Sequence, residues 1–461
     1  MKSTEYQFGQ ISSEVPFIET EHRRIITTIP SPGTDSILSE LEAYESRSMQ
    51  GQLPVVWDHA ENFSIFDKNG NQWIDFTSTI FVANVGHANP RVVDSLKRVL
   101  ERPLLHTYAY ANEVRSEYTR KLIEFCNGQF EKVFLLSAGT EATEAGLKLS
   151  RMYGQKKRKR RPGIICLEGN WHGRTMGAQM MSSNAAQKEW IGYCDPNIHH
   201  IPFPYPWVLK NISGLDFLKS GIDTLISQGL DLKTDICGFI LETFQGWGAV
   251  FYPVDFVHAI EKICRENDIL LVFDEMQSGF ARTGKRFGYE HYDVKPDLIC
   301  CGKGMGSGIP VSGVLGSAEI MDLPDVGSMS STHSANPLAC TAGLATLEEI
   351  ENRNLISESA RKGLLMQKRL NDIKIRFPDY ILAVLGKGLI AALIFKDPCT
   401  NEPDSLLPTK LSERCMHKGL LVVHTGRESI KIGPPLTITD EALLEGIDVI
   451  EESLDEIINQ T

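Results

Sequence analysis

The sequence predicts an α/β protein built on a mostly parallel sheet with helices on both faces. Two patterns predict it: short continuous apolar runs of the fully buried kind, and longer amphipathic runs that alternate with them through the middle of the chain. Size agrees. The chain has 461 residues, 42% hydrophobic and 23% charged, enough to bury a large core across roughly two or three domains.

Residues 1–75 read as an N-terminal arm and segment that packs with a smaller domain. A helix is expected over 36–48, with Asp35 placed to cap it. After it, Phe63 to Ile74 reads as a hairpin turning at Asn69-Gly70. Residues 76–345 read as the large domain. Lys132 to Ser137 is a buried strand, and Glu141 to Arg151 the helix after it. Gly163 to Leu167, Gly238 to Glu242, Ile269 to Phe273 and Leu298 to Cys301 are further strands of the same type, and Asp255 to Asn267 carries a helical stripe at Phe256, Ile260 and Ile263. Residues 346–461 read as a smaller α+β domain: a helix, alternating strands, and a last helix from Asp440 to Ile458.

Composition excludes several function classes. Asp plus Glu number 59 against 47 Lys plus Arg, a formal charge of −12, so no nucleic-acid partner is expected. The basic run Lys156 to Arg161 reads as a solvated loop, with a polyanion patch as the alternative. The apolar stretch from Tyr380 to Phe395 is cut by Lys387 and is too short for a bilayer, so no membrane partner is expected. The opening MKSTEYQFGQ has no apolar h-region, and the 10 cysteines make neither a CxxC pair nor a disulfide framework. These features point to the cytoplasm and to no metal site.

In sheets of this kind ligands sit beyond the carboxyl ends of the strands, and that is where the chemistry-bearing residues fall. Ser137 to Glu144 (SAGTEATE) stands where a strand becomes a helix. Gly139 allows close backbone approach, Thr140 adds a hydroxyl, and the helix start offers unpaired N–H groups, which together suit a phosphate; a capped turn is the plainer alternative. Asp274-Glu275 ends the run ILLVF, where a desolvated carboxylate needs a cationic or proton-donating partner such as a protonated heterocyclic nitrogen. A strand-end helix cap would look the same. Lys303, in CGKGMGSG, is a strand-end lysine flanked by glycines that clear space for a planar ligand, which suits an amine that condenses with a carbonyl. A phosphate-binding lysine is the alternative, but the P-loop spacing is absent.

An ordered series of blocks from about residue 53 to the C-terminus then carries a specific resemblance. The blocks are DFTSTIFVANVGHANP (75–90), SAGTEATEAGLKLSR (137–151), GNWHGRTMGA (169–178), ETFQGWG (242–248), LVFDEMQSGFARTGK (271–285) and DLICCGKGMGSGIPVSG (297–313), followed by STHSANPLAC (331–340) and IKIGPPL (430–436). The chain resembles the class III aminotransferases, which depend on pyridoxal phosphate, have fold type I, and include the ornithine, acetylornithine and 4-aminobutyrate enzymes. The resemblance implies a large domain with a mostly parallel seven-stranded sheet and a smaller α+β domain. It implies a transaminase moving an amino group, by a ping-pong mechanism, between a primary (terminal or ω) amine or amino acid and a keto acid or aldehyde. An aminomutase, racemase or phospho-lyase of the same superfamily is the alternative. A non-catalytic phosphate-binding protein on the same fold would not need Lys303, Asp274 and Thr140 together.

Position by position, the resemblance makes Lys303 the lysine that links to the cofactor and later carries the proton between Cα and C4′. It makes Asp274 the partner of the pyridine nitrogen, and Gly139 and Thr140 the phosphate cradle. Trp171 falls where the family has Phe or Tyr stacked on the ring. Gln277 falls near the ring hydroxyl, and Glu242 hydrogen-bonds in the ring's surroundings. Thr332 matches a threonine that reaches the phosphate from the neighbouring subunit, which implies a homodimer with shared sites, with a tetramer of paired dimers as the alternative. His172 reads as a structural histidine lining the pocket, with a catalytic base as the other reading. Two positions depart from the relatives that use glutamate. Lys431 stands in place of an arginine that grips the substrate carboxylate, and Trp247 in place of the glutamate that neutralises it. With Ile80, these three positions imply an altered substrate pocket, in which Lys431 or Arg427 would meet a carboxylate.

Overall fold

The apolar runs come together as one seven-stranded sheet, in the order Lys132–Leu136, Ser312–Gly316, Leu298–Cys301, Leu270–Asp274, Ile236–Glu242, Gly163–Leu167, Ile198–Ile201. The computed structural model describes Phe8, Gly9 and Ile11–Asn459. Only Ser312–Gly316 runs against its neighbours, antiparallel to both Lys132–Leu136 and Leu298–Cys301. The central parallel strands Ile236–Glu242 and Leu270–Asp274 are buried along their length, which is why their sequences read as apolar runs. Helix Gly139–Lys156 closes on the sheet through small residues: a Cβ on Gly146 would meet the Cys300 sulfur at 2.8 Å.

The chain divides into two compact units, one of residues 90–246 and 250–356 and the other of 1–89, 247–249 and 357–461. The units divide at 89/90 and 356/357. Physical reasons are visible on both sides. Residues 76–89 are tied to the C-terminal segment of their own unit, since Gly433 N–H donates to Phe76 O at 2.7 Å and Leu436 N–H to Asn84 O at 2.9 Å. Helix Pro337–Asn352 runs unbroken through 345/346.

The unit that holds the termini has a sheet of short strands in which Leu420–Leu421 joins Gln72–Asp75 in parallel, and a four-stranded antiparallel sheet that includes Ile390–Phe395 and Ser429–Ile432. The hairpin forms as expected from Ser64–Phe66 and Gln72–Asp75, with Gly70 at φ 86° in its turn. The first helix is shorter than expected, Asp35–Tyr44, and Asp35 lies inside it; Thr34 takes the cap position without a side-chain bond. The last helix is Asp440–Asn459.

The basic run is largely consumed by local pairing. Arg160 forms a two-pronged pair with Asp235, with its shorter N···O distance at 2.5 Å. Lys159 donates to the carbonyls of Lys233 and Asn267, Lys157 lies 3.5 Å from Asp268, and Lys156 lies 3.7 Å from Glu319. It ties a loop to its own unit. Among the described residues no helix is long and apolar enough to cross a membrane, and no cluster of His, Cys, Asp or Glu could hold a metal ion.

Candidate active site

Parallel strands in register end level with one another, and here that puts two carboxylates side by side. Asp274 is the register partner of Glu242 on one neighbouring strand and of Cys300 on the other. Just beyond the latter strand comes Lys303, in a short 3₁₀ turn with its backbone at φ 45°. A left-handed non-glycine residue stores about 1–3 kcal/mol of strain and persists where its surroundings over-determine it.

A cavity of about 160 Å³ opens at these strand ends, and most of the residues singled out from the sequence line it: Gly139, Thr140, Trp171, His172, Glu242, Asp274, Gln277 and Lys303. At the start of helix Gly139–Lys156, the N–H groups of Gly139 and Thr140 have no partner within the helix. The Glu141 carboxylate takes the N–H groups of Ser137 and Ala138 instead, at 2.9 Å each. Thr140 Oγ1 lies 2.6 Å from Thr175 Oγ1, whose hydroxyl donates to Glu144 Oε1 at 2.6 Å. Trp171 lines the cavity with the guanidinium of Arg174 4.6 Å above its ring.

Met276 was not foreseen. Its sulfur lies where Cβ atoms on Gly139 and Gly302 would come within 2.9 and 2.6 Å, so both glycines make room for one side chain beneath the cavity. The alternation after Asp274 could have flagged it, but a contact spanning so many residues leaves no local signal.

Electrostatics follow from burial. The buried carboxyl of Glu242 is pushed up to about 7, and the Asp274 charge adds to that; His172 and the N–H groups of Trp171 and Gly246 oppose it. Burial also lowers the Lys303 amine, against the pull of Asp274 and Glu242, which favours the neutral, nucleophilic form. Asp274 Oδ2 lies 2.8 Å from His172 Nδ1, and Asp274 Oδ1 accepts the N–H of Met276 at 3.1 Å. The sign of the Glu242 shift makes a prediction for the protein without cofactor. A carboxyl raised on folding stabilises the folded state while protonated, and that contribution is lost as pH rises through about 7. Unfolding midpoints in urea should therefore fall between about pH 5 and 8, and Glu242→Gln should flatten the slope. Parallel slopes would assign the dependence to other groups.

The remaining sequence-predicted residues do not line this cavity. Thr332 is exposed, and its carbonyl lies 2.6 Å from His106 Nε2. Ile80, Trp247 and Lys431 belong to the other unit, where they gather about strand Ser429–Ile432. Ser429 Oγ donates to Trp247 O at 3.0 Å, the Arg427 guanidinium lies 3.9 Å from the Trp247 ring, and the Lys431 ammonium lies 4.2 Å from the Phe81 ring. Phe81 and Ile80 sit in a left-handed turn, with Ser78, Thr79, Ile80 and Phe81 at φ 44°, 51°, 63° and 66°. The turn is pinned by Ser78 Oγ donating to Gly433 O at 2.6 Å, and it leaves Ile80 48% exposed.

The sequence matches the model of the aminotransferase class-III family over residues 45–454. It is 33% identical to a 4-aminobutyrate aminotransferase of Mycobacterium leprae over 449 residues, 94% of this chain and 98% of that protein. It is 30% identical to the mitochondrial acetylornithine aminotransferase of Saccharomyces cerevisiae over 444 residues, 94% of this chain and 99% of that protein. Among solved structures, the ornithine aminotransferase of Toxoplasma gondii superposes with a TM-score of 0.82 at 25% identity, covering 93% of this chain and 96% of that one. The chain belongs to the class III aminotransferases and is an enzyme of pyridoxal-phosphate-dependent transamination.

Proposed function

We propose that the chain is a homodimeric, cytoplasmic transaminase whose Lys303 holds the cofactor covalently and whose preferred donor is a primary amine bulkier than glutamate, such as an amino sugar, a polyamine or an ω-amino acid, with a keto acid or aldehyde as acceptor. The residues of the cavity fit the cofactor. Main-chain N–H groups at Gly139 and Thr140 lack helical partners and would bind the phosphate. The Asp274 carboxylate would hold the proton of the ring nitrogen, Trp171 would cover the ring, and Gln277 and Glu242 would meet its polar edge. Bound pyridoxal phosphate supplies an electron sink for the pair released at the substrate Cα. Lys303 Nζ, its pKa lowered by burial, would take the proton from the substrate Cα and pass it on.

The observation that carries the substrate reading is the way both cations of the Ser429–Ile432 region are held. Arg427 rests on Trp247 and Lys431 on Phe81, cations on aromatic faces in place of a bidentate arginine matched to a switching glutamate. A charge-assisted bond is worth about 1.5–3 kcal/mol, so losing the fork weakens glutamate by about tens-fold. Glutamate still serves through Lys431 or Arg427; the claim concerns preference. In wild type, kcat/KM for bulky primary amines should exceed that for glutamate and 4-aminobutyrate. A Lys431→Arg, Trp247→Glu double mutant should move the preference toward glutamate. A wild type that already prefers glutamate and 4-aminobutyrate, with no gain on either in the mutant, would remove the substrate reading.

The dimer is supported by an exposed apolar segment, Leu104, Leu105, Tyr108 and Tyr110, next to the His106–Thr332 contact. Mixing Lys303→Ala with Thr332→Ala subunits should restore activity, because shared sites place both lesions in one site of the mixed dimer and neither in the other. A fully active monomer at dilution would refute this. The cytoplasmic reading is supported by the cysteines, all free.

A further inference from the structure

Behind the cavity, the imidazole of His172 is held on both sides. Its Nδ1 lies 2.8 Å from Asp274 Oδ2, and its Nε2 lies 3.4 Å from Nδ2 of Asn170. All three residues are buried, at 3%, 3% and 5% exposure for Asn170, His172 and Asp274. The histidine is fixed in place by its own backbone: its N–H donates to Ser182 Oγ at 2.8 Å, and its carbonyl accepts from Thr143 Oγ1 at 2.7 Å. An amide nitrogen carries only donors. Opposite it, Nε2 would serve as the acceptor, which leaves Nδ1 to donate to Asp274 Oδ2.

We infer that Asn170 is a positioning residue: by donating to Nε2 it keeps His172 neutral with its proton on Nδ1, so that the His172–Asp274 pair presents a full negative charge to the cofactor's ring nitrogen. The inference rests on the proposed pairing of Asp274 with that nitrogen. A second proton on Nε2 would make an imidazolium beside Asp274 and cancel the charge that holds the ring proton. The other titratable groups that act on this ring are Glu242 on strand Ile236–Glu242 and His200 on strand Ile198–Ile201; Lys303 acts on Asp274 from the cavity, and Tyr252 lies beside Asn170. None of them offers Nε2 a hydrogen bond; Asn170 does. The amide turned the other way would set Oδ1 against Nε2 and require the imidazolium, so the two orientations predict opposite titrations.

The test is the absorbance of the bound cofactor in the holoenzyme across about pH 5 to 8, the range of histidine titration. Wild type should show no step that depends on His172. Asn170→Leu, which removes the donor, should acquire a new protonation step within that range, and adding His172→Gln should abolish it. Asn170→Asp, which sets a carboxylate against Nε2, should carry the step to higher pH. If one variant fails to fold or to load, by circular dichroism or cofactor content, the other still decides. Loaded variants that superimpose on wild type would overturn the inference, as would a His172-dependent step already present in wild type. A wild type with no cofactor on Lys303 after borohydride reduction would instead sink the site assignment itself, so the two failures are told apart.

Discussion

Lys303→Ala should lose turnover by about 10⁴-fold or more while still binding the cofactor. On the proposed reading the amine would supply the covalent link and carry the substrate Cα proton, and no other lysine lines the cavity among the described residues. General acid–base catalysis alone accounts for about 10²–10⁴-fold. Binding should persist, because the groups assigned to the phosphate and the ring nitrogen, the N–H groups of Gly139 and Thr140 and the Asp274 carboxylate, are untouched by the substitution. Lys303→Arg should be equally inactive, since a guanidinium stays protonated and cannot act as the nucleophile. The measurement is single-turnover amine transfer alongside cofactor content after gel filtration. Activity within about tenfold of wild type would show that another group moves the proton.

The largest loss of stability is expected at Glu275, the residue after Asp274. Its carboxylate is fully buried and accepts four hydrogen bonds: from Thr243 Oγ1 at 2.6 Å, Ser278 Oγ at 2.5 Å, and the N–H groups of Gly288 and Tyr289 at 2.8 and 2.7 Å. Burial pushes this carboxyl up, and the four donors oppose that shift. Glu275→Leu would strand all four donors in the interior, at a cost of about 3–5 kcal/mol. Glu275→Gln keeps the shape but turns an NH₂ group toward donors, and should cost less, about 2 kcal/mol. Because Met276 and Gln277 follow directly, cofactor affinity should fall with stability. Urea midpoints of the two variants should rank leucine below glutamine below wild type; equal midpoints would mean that the loop from Ser278 to Tyr289 is held by other contacts.

The fold was legible where burial is continuous. Runs such as LLVFD sit inside the sheet with both faces covered, so their side chains are apolar up to the strand end and stand out from any neighbour. Strand Ser312–Gly316 is SGVLG, with glycines where Cβ atoms would meet Phe134 O at 3.0 Å and the Leu298 side chain, and so has no apolar run to read. Strand Ile198–Ile201 has two histidines at its centre, one of them, His200, donating from Nε2 to Met181 O at 2.9 Å. In the site, Asp274 and Lys303 were legible because strand ends expose function in parallel sheets. Trp171 and Gln277 were singled out only through resemblance, as were Thr332, Trp247 and Lys431, which do not line the cavity. Met276 was not singled out, because the glycines it packs against, Gly139 and Gly302, are distant in sequence; Asn170 stands only two residues before His172, and its role comes from the side-chain geometry.

The central claim is that the strand-end lysine carries the cofactor. Borohydride reduction of the holoenzyme followed by peptide mapping tests it in one step, since reduction makes the attachment permanent. The account predicts a single modified peptide bearing the cofactor on Lys303. A cofactor found on any other lysine, or on none, would contradict it.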